Sequence, residues 1–370
     1  MSDRASDMVS HEDPGDAGYS DGRDIDTRIA ELSGEASDQL IKTDQISKSK
    51  ALVNRSAADE PTYYQQPLLK RSVWSIDIPL YYFCGGAAGA ALALGAALQV
   101  RRDPELRDFS RHCHWIGIAG SSVGAVLLIH DLGKPSRFRN MMRVFRPTSP
   151  MNMGAWILGG GAPTAIATGL FINRGGFLGA LGELTGFASG GFGSALAGYT
   201  GVVVSNSAIP VWQEARHWMP VLFMASSVAS AGSLLDLLYE HRRASRISFA
   251  FGTIGRVAEL VAANQVENSA RNLPKVAAPF KNGPTSILWK ASMVLGTASL
   301  IVSAVPGKSA KRRKVAGVLG VLGSLALRFA VHYISNASAE DARASFQHQR
   351  QRLPASAAVT RRSSAGSPAE

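Results

Sequence analysis

The sequence predicts an all-α fold: a polytopic transmembrane helix bundle of about eight spans with disordered N- and C-terminal tails. Three observations predict it. Apolar residues are gathered into segments, each close to the roughly 20 residues that a hydrocarbon core demands. Charged residues fall mostly between those segments, and both ends of the chain are polar. The length alone would suit two soluble domains, but the clustering of apolar residues overrides that prior.

Residues 1–70 are rich in Asp, Glu, Ser, Gly and Lys and poor in large apolar side chains, so burial cannot repay their ordering entropy. They read as a disordered polar tail. No N-terminal stretch has the basic, apolar and small-residue order of a cleaved signal, so insertion is expected to rely on the first span. The transmembrane domain occupies 71–346. Its spans are Pro79 to Val100, His114 to Ile129, Asn152 to Ile172, Phe187 to Asn206, Met219 to Leu238, Ser286 to Val305 and Val315 to Ile334, with a weaker one from Ile247 to Ala263. Gly85 and Gly89, Gly120 and Gly124, and Gly186 and Gly190 each stand four apart, the spacing that lets helix backbones approach closely in lipid. In the weak span, Arg256 and Glu259 stand three apart. They suit either a helix pairing its own charges toward the bundle or an interfacial amphipathic helix. Residues 347–370, dominated by Gln, Arg, Ala and Ser, form the second disordered tail.

The net charge of +11 raises a nucleic-acid reading, but Lys and Arg sit in short loops at span ends, not in an interleaved basic and aromatic patch. They read as membrane-flanking charge. The basic count is close to equal on the two faces, so orientation does not follow from it. Two cysteines, Cys84 and Cys113, form no C-x-x-C, so no metal cluster or c-type haem attachment is expected from this chain alone. "VPGKS" at Val305 to Ser309 ends like a phosphate loop, but Val302 stands where the first glycine is required.

Ionisable groups at membrane depth are costly, so those near span ends are the candidates for chemistry. Asp131 follows His130 at the end of the second span, before the turn "LGKPSRF". A carboxylate beside an imidazole at a wet helix end suits proton exchange, while a turn in which Asp131 pins Arg137 is the plainer alternative. A second cluster, with Trp212, Glu214, Arg216, His217 and Trp218, lies in the connection after the fourth span. It offers an aromatic slot beside a carboxylate and an imidazole, or only interface anchors and a surface pair. The third, "WSIDIPLYYF" from Trp74, carries Asp77, Tyr81 and Tyr82. Facing imidazole pairs for b-type haem are not evident among His114, His130, His217, His241 and His332.

The stretch "HDLGKPSRFRNMMRVFRPTSPMNMGAW", followed by "YTGVVVSNSAIPVW", "MPVLFMASSVASAG" and the closing "LRFAVHYISNASAEDARASF", resembles the NrfD/PsrC family of polysulfide reductase-type integral membrane subunits, over roughly Val73 to Gln347. The resemblance implies a cell (inner) membrane, multi-pass subunit of a respiratory oxidoreductase complex, not catalytic by itself. Such a subunit carries no haem or metal cluster and takes quinone or menaquinone as an exchangeable substrate. Its partners would be a ferredoxin-like iron–sulfur subunit and a molybdopterin or multihaem cytochrome subunit, within membrane lipid and without nucleic acid. By position, Asp131 becomes the proton-linked residue with His130 as relay. Asp77, Tyr81, Arg137, Trp212 and Glu214 become quinone-site residues, and Ser149, Pro150 and Met151 a loop or docking signature. A proton- or substrate-moving anchor without quinone chemistry, and a b-haem subunit, stand as competing functions.

Overall fold

A computed structural model of the chain describes residues 25–26, 31–32, 69–70, 72, 74–101, 103–238, 242–305 and 309–345. The chain divides into two units, Met1–Gln66 and Pro67–Glu370. Of the first, only a minimal antiparallel ribbon is described: β1 (Ile25–Asp26) pairs with β2 (Glu31–Leu32), Ile25 opposite Leu32. The disorder expected for the rest of 1–70 and for 347–370 lies outside the described residues.

The second unit is an antiparallel helix bundle. Its long helices are α1 (Asp77–Val100), α2 (Pro104–Asp131), α4 (Pro150–Phe171), α5 (Gly176–Ser205), α7 (Met219–Leu238), α8 (Arg242–Ser269), α10 (Gly283–Ala304) and α11 (Ala310–Glu340). Three short helices, α3 (Pro135–Met141), α6 (Pro210–Glu214) and α9 (Pro274–Lys281), lie in the connections. Six of the long helices, α1, α2, α5, α7, α10 and α11, are long and apolar enough to cross a membrane. The less apolar α4 and α8 pack into the same bundle, so that eight long helices stand among the described residues, roughly matching the expected eight or so spans.

Successive long helices reverse direction. One face of the bundle therefore gathers the start of α1, the end of α2, the start of α4 and the end of α11, with α3, α6 and α9. We call it the cluster face, and the other the turn face, where the connections are short. Several helices run beyond the expected spans because their ends are polar and capped. Helix α2 begins at Pro104, ten residues before the apolar run, with the Asp103 carboxylate accepting from the Glu105 N–H at 3.0 Å. Its first turns carry Glu105, Arg107, Asp108 and Arg111, which an apolar-window reading excludes. Helix α11 likewise starts at Ala310, where the Ser309 hydroxyl caps its basic first turn.

Helix α1 is largely enclosed and packs against α2, α5, α7 and α11. Its run of Gly and Ala residues makes this possible, since bulky side chains would hold the neighbours away. At Gly89 the backbone meets Gly193 of α5: a Cβ on Gly193 would stand 2.6 Å from the Gly89 carbonyl oxygen and 2.8 Å from the Leu92 Cβ. Of the glycine pairs noted in the sequence, Gly190 packs on the Ala96 Cβ, and Gly120 on the Cys84 carbonyl and Ala88. The spacing thus marks helix contacts.

Gly193→Leu should destabilise the bundle by about 1–3 kcal/mol or more through overpacking. Gly191→Leu, at a position with nothing within 4 Å of an added Cβ, should be tolerated. Thermal unfolding of the two variants in one detergent checks this; equal midpoints would contradict the close α1–α5 contact.

Candidate functional site

The segment before α1 and the end of α2 meet on the cluster face, and with them meet residues 53 to 56 positions apart in sequence. The Ser75 backbone N–H and hydroxyl both reach Asp131 Oδ1, at 3.0 and 2.8 Å. The same hydroxyl oxygen lies 2.9 Å from Asp77 Oδ2 and accepts from the Asp77 N–H at 3.2 Å. A hydroxyl has one proton, so Ser75 can donate to only one of the two carboxylates at a time. The His130 ring sits 2.7 Å from Asp77 Oδ2 through Nδ1, and with that nitrogen protonated it donates to the carboxylate. His130 is open to water, its side chain 78% exposed, while Asp77 is 14% exposed. Two carboxylates, an imidazole and a switchable hydroxyl thus form one hydrogen-bonded unit at a wet helix end, which is what proton exchange requires.

Arg137 does not pin Asp131. Its guanidinium turns back to donate to the Leu132 carbonyl at 3.1 Å and closes the turn after α2. Gly133, at φ +70, makes the reversal that ends the helix. The Ser149-Pro150-Met151 signature starts α4: the Ser149 hydroxyl caps the helix, Pro150 takes its first position and Met151 faces outward. The next residue, Asn152, pins the preceding loop, donating to the Met141 and Val144 carbonyls at 2.6 and 2.9 Å and accepting from the Arg146 N–H at 2.7 Å.

Beneath the polar cluster lies an aromatic tier. Trp74 stacks on Trp212 of α6 at 6.1 Å between ring centroids and meets Tyr82 edge-on at 6.4 Å; Tyr82 meets Phe223 at 5.4 Å. Trp212 is 1% exposed, so the space beside its ring is filled by Trp74. Glu214 ends α6 half-buried, and Arg216 donates to the exposed His217 ring at 3.2 Å. Tyr81 is buried between α1 and α2, its ring against Gly85 and Gly124.

Two further groups were not singled out by sequence. The buried Arg328 of α11 lies over the Phe223 ring at 4.1 Å and donates to the Phe223 carbonyl and the Ser227 hydroxyl at 2.9 and 3.1 Å. Asn336, one face further along α11, accepts from the Ser72 hydroxyl at 2.6 Å. It also lines a cleft of about 920 Å³ between α9, α10 and α11, together with Tyr333, Thr285 and an apolar wall that includes Ile287 and Leu288. Arg328 could have been suspected as a charge inside an apolar run. Asn336 and Ser72 carried no such signal, since only the fold brings them together.

In the bundle interior, the Arg256 and Glu259 alternatives resolve in favour of pairing. The two are joined, each 3% exposed. Ser324 of α11 accepts from Arg256 at 2.9 Å and donates to Glu259 at 3.0 Å, and Ser233 of α7 accepts from Arg256 at 3.1 Å. His114 is buried against Gly95, toward the turn face. Among the described residues no three of His, Cys, Asp and Glu gather as a metal site.

The polysulphide reductase NrfD family model matches residues 67–337, the bundle and the segment leading into it. This chain belongs to the NrfD family. No curated protein matches it. As an NrfD-family chain it is a multi-pass membrane subunit of a respiratory oxidoreductase, a kind of subunit that works in complex with others. The match begins just before Ser72 and ends just after Asn336, so both residues at that contact fall inside it.

Removing Arg256 alone would leave the Glu259 carboxylate buried and unpaired, at a cost of about 3–5 kcal/mol. Arg256→Leu should therefore lower the unfolding midpoint far more than Arg256→Met combined with Glu259→Leu, which removes both charges. Thermal melts of the two purified variants check it, and equal losses would deny the pair its structural role.

Proposed function

We propose that this chain is the quinone-reactive membrane subunit of its complex, exchanging electrons between quinone or menaquinone and a partner iron–sulfur subunit, with proton uptake or release on the cluster face. A molybdopterin or multihaem cytochrome subunit would complete the electron chain, and the cell inner membrane would supply the quinone. The observation that carries this reading is the link from an apolar cleft to a wet acid–base cluster on the same face. Asn336 lines the cleft and is hydrogen-bonded to Ser72; three residues on, Ser75 bridges Asp77 and Asp131, and His130 opens the cluster to water.

A quinone ring is flat, mostly apolar and polar only at its two oxygens. A largely apolar cleft, lined also by the Asn336 amide, the Tyr333 phenol and the charged Lys275, Glu340 and Asp341, suits it in size and offers polar groups to its oxygens. Two-electron oxidation of a quinol breaks two O–H bonds, giving quinone, two protons and two electrons. The protons need acceptors that can pass them to water, and the electrons need an acceptor close by. Asp131 is our proton-linked residue, with Ser75 as a rotor between it and Asp77, and His130 as the exit to solvent. Tyr81, Trp212, Arg137 and Glu214 hold the surrounding helix ends, α2, α6 and the turn after α2, in register with the cluster. The loop after α2, with Ser149 to Met151 at its end, would receive the iron–sulfur partner, which brings the cluster within reach of the ring.

Transport without redox chemistry is the second reading, favoured by the buried Arg256–Glu259 pair, since intramembrane charges also occur in transporters.

Asp131→Asn keeps the hydrogen bonds from Ser75 but removes the exchangeable carboxylate. Quinol-dependent reduction of the partner's clusters, followed by paramagnetic resonance in the intact complex, should fall about a hundredfold, the lower range for loss of a general base. Complex assembly should be unchanged. Asn336→Leu should raise the apparent KM for quinol with a smaller effect on kcat. Rates equal to wild type in both variants, with substrate flux in liposomes lacking any redox partner, would move transport to first place.

A further inference from the structure

On the turn face, away from the quinone reading, a second cleft of about 610 Å³ opens where the end of α1, the start of α2 and the α4–α5 turn converge. Three guanidinium groups line it: Arg107 and Arg111 from α2, and Arg174 from the turn. Two carboxylates share the lining, Asp103 and Glu183. Asp103 is already engaged, by Arg243 of α8 at 3.0 Å, and Arg111 holds Asp108 at 3.3 Å. Arg107 and Arg174 are exposed and form no ion pair with any described residue. The cleft therefore carries an excess of positive charge from forked donors.

Gln99 closes the inner side of the cleft, its amide atoms buried and without a hydrogen-bond partner among the described residues. The amide lies over Gly186 of α5, where an added Cβ would come within 2.5 Å of its oxygen and nitrogen. The remaining lining mixes the polar Ser110 and Asn173 with an apolar strip from Leu98, Val100, Ile172 and Phe187, which exposed Leu184 on the outer side of α5 continues. This is the level at which α1 leaves its apolar run for the charged turn at Arg101, the boundary between hydrocarbon and headgroups.

Guanidinium forks match phosphate oxygens, and their position above an apolar wall matches a molecule with an anionic head and acyl chains. A neutral quinone would leave the charge uncompensated, and a free anion would leave the apolar wall bare. We propose that this cleft binds the phosphodiester headgroup of an anionic phospholipid, with Arg107 and Arg174 on the phosphate and the chains along α5. The lipid would tie the α1–α2 end to the α4–α5 turn.

The test is native mass spectrometry of the full chain in neutral detergent, titrated in turn with phosphatidylglycerol, phosphatidylcholine and inorganic phosphate. Phosphatidylglycerol should be retained in preference to phosphatidylcholine. Arg107→Gln with Arg174→Gln should weaken that retention by about fivefold per arginine, the value of one basic side chain at an anionic surface. Arg271→Gln with Lys281→Gln makes the same charge change on the cluster face and should leave retention unaltered. Equal retention of the two lipids, or retention indifferent to the double arginine change, overturns the proposal. Displacement of phosphatidylglycerol by millimolar inorganic phosphate assigns the cleft to soluble anions and overturns it as well.

Discussion

The bundle depends on how closely α1 can be approached. In lipid the helices gain nothing from hiding apolar surface from water, so association rests on dispersion contacts and on the polar groups that only a neighbour can satisfy. Helix α1 supplies the first through Gly85, Gly86, Gly89 and the alanines around them, which admit α2, α5 and α7 to backbone distance. It also carries Asp77, with Trp74 just before it, to the cluster face, because α1 is seated deep among its partners. A side chain at Gly86 would collide with the Ser227 hydroxyl and crowd Arg328, so the same small-residue seam also makes room for a buried charge.

Charge inside the bundle follows a second rule, that each group must carry its own solvation with it. Arg256 and Glu259 solvate one another, with Ser324 and Ser233 taking the remaining donors and acceptors. Arg328 meets the rule only in part: Nη2 is held by a carbonyl and a hydroxyl and the guanidinium lies over the face of Phe223, while its buried Nε and Nη1 lack a hydrogen-bond partner among the described residues. These contacts join α7, α8 and α11, the half of the bundle in which glycine seams are supplemented by hydrogen bonds. On the cluster face the rule relaxes: water reaches His130, and Ser75 stands between two carboxylates with one proton to share. That difference in solvation separates residues that fix the structure from residues able to exchange protons.

The polar loop between α2 and α4 owes its composition to the same logic. Arg137 closes a turn, Asn152 holds three loop atoms, and Ser149 and Pro150 begin a helix. Part of what reads in sequence as a functional signature is therefore the architecture that keeps Asp131 at the end of α2 and facing Ser75. The aromatic cluster behaves alike: Trp212 fills its space with Trp74 and fastens α6 beneath the cluster.

The amino-acid sequence by itself determined the class of fold and roughly the number of long helices, because a hydrocarbon core demands apolar runs of about fixed length; α4 and α8 fall short of that apolarity and owe their place to packing. It also singled out Asp131, His130 and Asp77 as unusual charges, and the family to which the chain belongs through motifs in one register. Helix ends escaped it where capped polar turns prolong α2 and α11, since apolar windows do not register hydrogen-bonded termini. Only the tertiary structure decided that Asp77 and Asp131 share one serine, that Arg137 serves the turn and not the carboxylate, and that Arg256 and Glu259 face inward. It alone joined Asn336 to Ser72 across 264 residues. The physical reason is that burial cost constrains each segment separately and is written along the chain, whereas hydrogen bonds between segments depend on which helix ends arrive on the same face and how closely their backbones can meet.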